Sequence, residues 1–415
     1  MKKIGLTHFR FSISWSRILP KGTKAGGVNR LGINFYNNVI DELLANDIQP
    51  FVTLFHWDVP HALEEAYGSF LSNNIVLDFV DFANICFKEF GDRVKKWVTI
   101  TKPNTYAQLA YASGDEVPNR CSHLKSSDTS MNGPRCFGGN SATEPYIVAH
   151  NLLLSHASIV ALYRQKYQAS QNGTIGITVA CNWVEPYDFK PRTVNATKRY
   201  FDHSCGWFLN PLTFGDYPET MHSLVGNRLP KFTADQSVIL KNSFDFLGLD
   251  YYTAFYIQEE NATTPHYDLD DHAKKTFSDK DGMHLGKKTP IDFYDYPTGL
   301  ENITLYLQRN YNNPVIIVTA NGYASLDGRN KTYSKNFYIK DSGRIEYIQG
   351  HIDHLHRAIK SGANVKGYIV SSFMDSFEWN AGYIIKYGLI YIDHKHDLKR
   401  YKKNSAKWYR NFLRT

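Results

Sequence analysis

The chain contains an apolar run that stops abruptly at a charged side chain, WVTITKP at residues 97–103. A second run of the same form, IIVTANG at residues 316–322, stops at an alanine and an asparagine. Short apolar runs rich in β-branched residues predict buried strands, and each of these stretches ends one. Lys102 and Ala320, which stand at the two ends, are therefore candidates for a functional site.

Similar apolar runs recur along the chain and alternate with stretches of helical periodicity. The predicted strands are residues 6–15, 49–55, 96–101, 176–182, 246–252, 315–319 and 366–373. The predicted helices are residues 30–45, 73–90, 144–165, 193–209, 233–241, 299–310 and 344–361. Apolar strands separated by helices predict an α/β fold, a parallel sheet that helices cover. The polar stretch 259–288 is expected to form one long loop, and no linker marks a second domain.

Polar side chains gather directly after the predicted strands. In an α/β barrel, binding and catalytic groups lie at the carboxyl ends of the strands, because the loops that follow them meet there. The pattern therefore predicts a barrel with a site at that end. The polar residues concerned are His56, Asp58, Lys102, Tyr252, Asn321, Asp375 and Glu378.

The composition is typical of a globular protein with a large core, since 42% of the 415 residues are hydrophobic and 14% are aromatic. The formal charge of +7 is mild. The basic segment 395–403 is expected to be a solvated face and not a nucleic-acid site. The sequence contains no run of about 18 apolar residues, which is the length that a membrane-spanning helix needs. We therefore expect neither a nucleic acid nor a membrane as a partner.

Cysteines and glycosylation sequons bear on the compartment. Cys121 and Cys136 bracket a Ser/Gly-rich segment, where a disulfide bridge and two free thiols are equally compatible with the sequence. No cysteine or histidine spacing indicates a metal site. We expect no signal peptide, so the localisation stays open, although the sequons favour a secretory ancestry. The sequons lie at Asn172, Asn195, Asn261, Asn302 and Asn330.

Six ordered motifs resemble those of glycoside hydrolase family 1, and in particular the plant β-glucosidases. They are RFSISWSR at 10–17, TLFHWD at 53–58, NSATEPY at 140–146, FDFLGLDYY at 244–252, GANVKGY at 362–368 and DSFEWNAGY at 375–383. The cyanogenic β-glucosidases are the most similar group, with the myrosinases as an alternative. The resemblance implies a single TIM (β/α)8 barrel domain over residues 1–415. It also implies a small-molecule β-glucoside as ligand, with no cofactor, and leaves a homo-oligomer open.

The resemblance further implies that one strand is missing. In the family, a first strand with the motif F-x-F-G-x-A-[TS]-[SA]-x-Q-x-E-G lies upstream of RFSISWSR, and nothing in this chain matches it. We therefore expect an amino-terminally truncated barrel of seven strands, with unpaired edges on both sides of the gap. The glutamine with which the family binds glucose hydroxyls would be absent as well.

The two opening stretches resemble the catalytic strand ends of the family with both glutamates replaced. The family reads T-F-N-E-P and [IV]-T-E-N-G, which places Lys102 at the acid/base position and Ala320 at the nucleophile position. A retaining glycosidase needs two carboxyl groups about 5 Å apart. Ala320 has no nucleophilic atom and a lysine at position 102 cannot replace it. We therefore predict that neither catalytic residue is retained.

The glucose pocket implied by the resemblance is only partly kept. Thr101 replaces an asparagine that holds the sugar 2-hydroxyl, and Ser371 replaces a tryptophan whose ring would supply apolar contact area. Arg10 loses the carboxylate with which the family pairs it, and we expect Asp250 to take that place in an ion network that includes Lys102. The expected substrate-binding residues are Arg10, His56, Thr101, Tyr252, Ser371, Glu378, Trp379 and Tyr387.

Two hypotheses of function follow. The first is a degenerate, inactive β-glucosidase homologue that acts as a scaffold or as a weak glucoside-binding protein. The second is a hydrolase of plant β-D-glucosides with residual or unconventional activity. It would need an external nucleophile or a repositioned carboxylate, such as Asp250 or Glu378. Joint loss of both glutamates, the asparagine, the tryptophan and the first strand favours the first hypothesis.

Overall fold

Seven parallel strands form the centre of the computed structural model, which describes residues 1–122, 136, 138–326 and 335–414. Each strand pairs with the next along the chain, and all of these pairings are parallel. The sheet curls into a nearly closed barrel, so the predicted TIM-barrel class is confirmed. The strands are β1 (His8–Ser12), β2 (Gln49–Phe55), β3 (Lys96–Thr101), β4 (Thr174–Ala180), β5 (Phe246–Asp250), β6 (Ile316–Asn321) and β7 (Val365–Val370).

The barrel interior is filled by side chains that alternate strands point inward. Phe51 of β2 and Phe246 of β5 meet edge to face, with ring centroids 5.6 Å apart. Because β2 and β5 are not neighbours in the sheet, this contact crosses the barrel. Val98 and Ile317 complete the same cluster. The near-continuous apolar sequence of the inner strands follows from burial on both faces.

Helices pack against the outside of the barrel and enclose the larger part of the core. In the described part of the chain, only the helix Glu144–Lys166 is long and apolar enough to span a membrane, and 72% of its apolar window is buried inside the protein. The α-helices are Trp15–Ile18, Arg30–Ala45, His61–Tyr67, Asn74–Phe90, Pro103–Tyr111, Glu144–Lys166, Gln168–Gln171, Pro191–Phe201, Trp207–Phe214, Glu219–Val225, Ala234–Leu240, Pro297–Asn310, Lys335–Ile339, Ser342–Lys360 and Asn404–Phe412.

Three expectations from the sequence were wrong in detail. The stretch 259–288 is not one loop, because Ala273–Thr276 pairs with Ala254–Glu259 in a small outer sheet with Trp183–Pro186. The exposed Lys274 and Lys275 gave this strand no apolar pattern, so the sequence did not predict it. The single helix predicted over 193–209 is interrupted by a π-helical turn at Asp202–Gly206. The strand predicted over 6–15 ends at residue 12, since Trp15 begins a helix and stacks on Phe82.

The gap between β1 and β7 is the open side of the barrel, and we call it the seam. Within the described residues, neither strand has a partner on that side. All residues of β5 and β6 are buried, whereas every residue of β1 and β7 is partly or fully exposed. The seam therefore leaves one side of each edge strand without the cover that the inner strands receive.

The cysteines divide into one close pair and three isolated thiols. The Cα atoms of Cys121 and Cys136 lie 5.3 Å apart, a separation that a disulfide spans. Cys86, Cys181 and Cys205 are buried and free.

Most of the sequon asparagines are accessible. Asn172, Asn195 and Asn261 are exposed, and Asn302 is half-buried. Asn330 lies outside the described residues, so its surroundings carry no argument.

Candidate functional site

A cavity of about 970 Å³ opens at the carboxyl ends of the strands and continues down the seam. The barrel brings together side chains that are far apart in the sequence, because each follows a different strand. The predicted site residues that line the cavity are Arg10, His56, Thr101, Lys102, Tyr252, Ala320, Ser371, Glu378 and Trp379. Among the described residues, no cluster of three His, Cys, Asp or Glu side chains has a geometry that suits a metal ion.

Lys102 stands between two aromatic rings. Its backbone N–H donates to the Thr178 carbonyl at 2.8 Å, which anchors it beside β4. Its Nζ lies 5.4 Å from the ring centroid of Trp57 and 5.9 Å from that of Tyr252, which are cation–π distances. Burial lowers the pKa of Lys102, the Asp250 carboxylate opposes this shift, and the Arg10 cation adds to it.

Arg10 reaches from β1 across the floor of the cavity. Its guanidinium donates to the Thr53 hydroxyl at 3.3 Å, to the Thr319 carbonyl at 3.3 Å and to the Thr101 hydroxyl. Its Nη1 lies 4.0 Å from Oδ1 of Asp250, so the structure contains the expected ion pair. Burial lowers the pKa of Arg10, and the Asp250 charge opposes that shift.

Ala320 presents only a methyl group at the end of β6. In register it lies opposite Asp250 of β5. The side chain of Asp250 is 1% exposed and accepts a hydrogen bond from the Thr319 hydroxyl at 2.7 Å. The Asp250 carboxylate, which is adjacent to Ala320, is therefore already bound to buried groups, the Thr319 hydroxyl and the Arg10 guanidinium.

His56 lies among tryptophan rings at the mouth of the cavity. Its ring centroid is 5.0 Å from that of Trp379, and the Trp57 and Trp379 centroids are 4.8 Å apart. Burial lowers the pKa of His56 well below its ordinary value, and the charges of Lys102 and Arg10 add to this effect. Its buried Nε2 has no hydrogen-bond partner within the described residues. A neutral imidazole with a free nitrogen can bind a ligand hydroxyl.

Three side chains around the cavity sit on left-handed backbone. The φ angles are 73° at Trp57, 49° at Lys102 and 51° at Trp379. Such conformations cost a non-glycine residue about 1–3 kcal/mol each, and they concentrate at functional sites. The packing around these residues therefore holds the cavity in a shape that costs some stability.

Glu378 is one of two carboxyl groups that the segment after β7 contributes to the cavity, the other being Asp375. It accepts a hydrogen bond from the Ser376 hydroxyl at 3.2 Å. Burial raises the pKa of Glu378 to about 7, although the Lys102 cation opposes the shift. This carboxyl group is therefore about half protonated at neutral pH.

Two tyrosines occupy different depths on the remaining wall. Burial raises the pKa of Tyr252 well above its usual range, so this phenol is a neutral donor in the cavity. The ring of Tyr387 packs 5.9 Å from that of Tyr252. In the described part of the chain, Tyr387 is not among the residues that line the cavity. It supports Tyr252 from behind.

Two polar residues that follow predicted strands have structural partners. Asn321 donates to the Tyr251 carbonyl at 2.8 Å and accepts from the Tyr368 hydroxyl at 2.6 Å. Asp375 accepts from the buried Lys403 ammonium at 2.8 Å. Asn321 therefore braces the strand ends, whereas Asp375 is held through Oδ1 alone and its buried Oδ2 has no hydrogen-bond partner within the described residues.

The sequence did not single out the residues that hold the charged groups in place. Thr53 and Thr319 bind Arg10 from inside the barrel, and Trp57 donates from its indole nitrogen to the Thr101 carbonyl at 2.9 Å. The only available signal was a threonine in the middle of an otherwise apolar strand. Such a hydroxyl needs a hydrogen-bond partner once it is buried.

Comparisons with other proteins place the chain in one family. The profile of glycosyl hydrolase family 1 matches residues 1–415. Beta-glucosidase 17 of Arabidopsis thaliana is 50% identical, over 100% of this chain and 78% of its own length. Furcatin hydrolase of Viburnum furcatum is 47% identical, over 100% of this chain and 74% of its own length.

Solved structures agree with the sequence relatives. The rice β-glucosidase Os3BGlu6 superimposes with a TM-score of 0.94 and 41% identity, over 100% of this chain and 86% of its own. A family 1 β-glucosidase of the fungus Humicola insolens, solved in complex with glucose, gives a TM-score of 0.93 and 36% identity, over 99% of this chain and 84% of its own. The chain therefore belongs to glycosyl hydrolase family 1.

Proposed function

We propose that this chain is a β-glucosidase homologue that holds the glucose part of a β-glucoside without hydrolysing it. The observation that carries the proposal is Ala320 at the end of β6, at the position that the family motif gives to the nucleophile. A retaining glycosidase attacks the anomeric carbon with a carboxylate oxygen. A methyl group has no electron pair with which to form that bond.

The carboxyl groups around Ala320 are poor substitutes for the missing nucleophile. If Asp250 rotated into the cavity, Arg10 would lose its buried counter-ion, which typically costs about 3–5 kcal/mol. Glu378 is about half protonated at neutral pH, because burial raises its pKa to about 7. Lys102, at the acid/base position, carries an amine that cannot form the glycosyl ester.

The remaining cavity suits a sugar better than an apolar ligand. His56 offers an unpaired ring nitrogen, Glu378 offers a carboxyl group, and Trp379 offers an aromatic face beside them. The glucose complex of the fungal relative supports this assignment. Since Ser371 provides no ring, we expect glucose to bind no more tightly than about 1 mM, or about −4 kcal/mol.

Release of an aryl alcohol from an aryl β-glucoside tests the catalytic half of the proposal. We expect no release above buffer from the purified chain. The double variant Lys102→Glu/Ala320→Glu should give measurable release, because it restores both carboxyl groups. The release should stay weak, because the open seam admits water to the site. Steady release by the unaltered chain, abolished by Lys102→Ala, would overturn the proposal. Release that appears only with added azide or formate would support it, since a small anion can take the place next to Ala320.

Calorimetry with glucose tests the binding half. Glu378→Gln should weaken binding at least several-fold, because it removes a charge-assisted acceptor from the cavity. The matched control is Glu346→Gln, whose side chain is 62% exposed outside the cavity and should leave binding unchanged. Micromolar affinity, or equal effects of the two substitutions, would contradict the proposed pocket.

We also propose that the chain folds in an oxidising compartment, with a bridge between Cys121 and Cys136 and glycans on exposed sequons. The support is the Cα separation of 5.3 Å and the exposure of Asn172 and Asn195. Peptide mass mapping without reductant, on protein from a secretory host, should find the bridged peptide. Two alkylated free thiols would contradict it.

A further inference from the structure

A second cavity, of about 370 Å³, lies between helices on the outside of the barrel, and we call it the outer cleft. Its lining residues lie in three segments, at 24–30, at 84–89 and at 166, which belong to three helices and to the loop before the first of them. Among the described residues, none lines both this cleft and the sugar cavity at the strand ends. A volume of this size is at the lower end of the range for small-molecule sites. The outer cleft is therefore a separate place where a small ligand could bind.

Positive charge dominates the outer cleft, since four basic residues and one acidic residue line it. The acidic one, Glu89, is bound by the Arg30 guanidinium, with N–O distances of 2.9 and 3.4 Å. Within the described residues, the ammonium groups of Lys24 and Lys88 form neither an ion pair nor a hydrogen bond. Three ammonium groups, those of Lys24, Lys88 and Lys166, are therefore left to attract an anion.

Asn84 holds one of these lysines against the wall of the cleft. Its side-chain oxygen accepts hydrogen bonds from the Tyr167 hydroxyl at 2.6 Å and from the Lys166 ammonium at 3.2 Å. The side-chain NH₂ of Asn84 donates to no group in the part of the chain that the structure describes, so two N–H donors remain for a ligand. Amide donors beside ammonium groups suit an oxyanion with several acceptor atoms.

The position of Lys24 argues against a purely structural role for these charges. Lys88 and Lys166 stand in the last turns of their helices, where a cation offsets the helix dipole. Lys24 belongs to a loop, so no dipole of its own helix explains its place at the same cleft. The convergence of one loop lysine and two helix lysines on one cavity favours an anion site.

The deeper part of the outer cleft is apolar. Ile85 is 8% exposed and Val28 is half-buried, whereas the three lysines are exposed. An inorganic anion would leave these apolar side chains in contact with water, whereas a ligand with an aromatic ring would cover them. The ligand that fits best therefore has an apolar part and a charged part.

The kind of cation selects the kind of anion. A carboxylate pairs best with a guanidinium, which offers two parallel N–H groups, but Arg30 already uses its guanidinium on Glu89. The free groups are ammonium ions, which act as point charges and suit phosphate. A phosphate monoester carries a charge of about −1.5 to −2 at pH 7, so it gains more from three ammonium groups than a carboxylate does.

We propose that the outer cleft binds a phosphate monoester of a small aromatic alcohol. The ring covers Val28 and Ile85, and the phosphate lies among Lys24, Lys88 and Lys166. Binding is non-covalent, and no bond of the ligand is broken. This inference is independent of the function proposed for the sugar cavity, because the two cavities share no described lining residue.

Calorimetry with phenyl phosphate on the intact chain tests the class of ligand. We expect saturable binding at one site. Phenyl sulfate, which carries a single charge, and inorganic phosphate, which has no ring, should each bind at least fivefold more weakly. Lack of saturable binding by phenyl phosphate would overturn the proposal. Equal affinity for inorganic phosphate would also contradict it, since Val28 and Ile85 would then contribute nothing.

Charge reversal locates the bound phosphate. Lys88→Glu should weaken phenyl phosphate binding at least tenfold, whereas the control Lys274→Glu, on an exposed strand outside the cleft, should leave it unchanged. Because Arg10 and Lys102 give the sugar cavity positive charge as well, Lys102→Met is a second control and should not weaken this binding. Loss of binding in Lys102→Met but not in Lys88→Glu would place the phosphate in the sugar cavity and refute the proposal.

Removal of the one carboxylate gives a test in the opposite direction. Glu89→Gln should strengthen phenyl phosphate binding at least threefold, because it frees the Arg30 guanidinium and removes a negative charge from the cleft. The matched control is Glu346→Gln, whose carboxylate lies 3.3 Å from Lys287 outside the cleft, and it should leave the affinity unchanged. Equal gains in the two variants would mean that only the net charge of the protein matters, and would overturn the assigned site.

Discussion

β3 and β1 are both short apolar strands, yet the barrel buries one and leaves the other half open. In β3, KWVTIT, all residues after the first are buried, whereas in β1, HFRFS, none is. The physical difference is the number of neighbours, because β3 lies between β2 and β4 while β1 has only β2. Burial in this barrel is therefore set by position in the sheet as much as by the residues themselves.

The same difference reaches the candidate site. Thr53 of β2 and Thr319 of β6 accept hydrogen bonds from Arg10 of β1, and Thr319 donates in turn to Asp250 of β5. On this side of the cavity the polar groups therefore form a closed network. The side towards the seam is open, so the sugar cavity and the seam form one continuous space. A ligand pocket that opens in this way excludes water poorly, which weakens each electrostatic contact inside it.

The largest expected effect compares one phenylalanine from each region. Phe246 of β5 is 2% exposed, whereas Phe9 of β1 is half-exposed. Phe246→Ala should lower the free energy of unfolding by about 3–5 kcal/mol, and Phe9→Ala by about 1 kcal/mol, because only the first leaves a closed cavity. Urea denaturation measures both values. Equal losses would show that the seam is covered in solution.

A second test breaks the ion pair that ties β1 to the closed side. Asp250→Asn should lower the free energy of unfolding by about 3 kcal/mol, because Arg10 then stays buried without its counter-ion. Lys102→Met is the control and should cause no loss, since burial disfavours the Lys102 ammonium more strongly than the Asp250 carboxylate favours it. If Asp250→Asn left the thermal midpoint unchanged across pH, the proposed ion network would be wrong.

A third test uses the pH dependence of the free energy of unfolding, to which the buried His156 should contribute much more than the exposed His8. Burial lowers the pKa of His156 to about 3, and its ring bonds to the Thr99 hydroxyl of β3. The unfolded chain binds that proton below about pH 6.5 and the folded chain does not, so stability falls as pH falls from 6.5 towards 3. From pH 6.5 to 5, His156 should account for about 2 kcal/mol of this loss.

Substitutions at His156 and His8 are compared by the slope of the free energy of unfolding against pH, and not by absolute stability. His156→Gln should flatten the decline in free energy of unfolding with falling pH. The decline should persist in part, since burial also lowers the pKa of His351 to about 3. His8→Gln, on the exposed start of β1, should change the slope much less. An equal change in both variants would mean that the seam excludes water as well as the closed side does.

The sequence predicted the barrel strands well because their signal is local. Strands 49–55 and 96–101 were predicted with the bounds that the structure has, since apolar runs between polar boundaries mark them directly. The pair Ala254–Glu259 and Ala273–Thr276 was missed, because its outer surface is charged and only its backbone pairing defines it. Tyr387 was expected in the pocket, but its ring packs behind Tyr252, a contact between positions 135 residues apart that the linear sequence does not state.

The amino-acid sequence by itself determined the family, the succession of strands and helices, and the identities of Lys102 and Ala320 at the two strand ends. These follow from periodicity and from ordered motifs, which are read along the chain. Only the tertiary structure decided that Asp250 faces Arg10 and that the cavity continues into the seam. Those facts depend on contacts between residues more than 200 positions apart and on how many neighbours each strand has, and the linear sequence states neither.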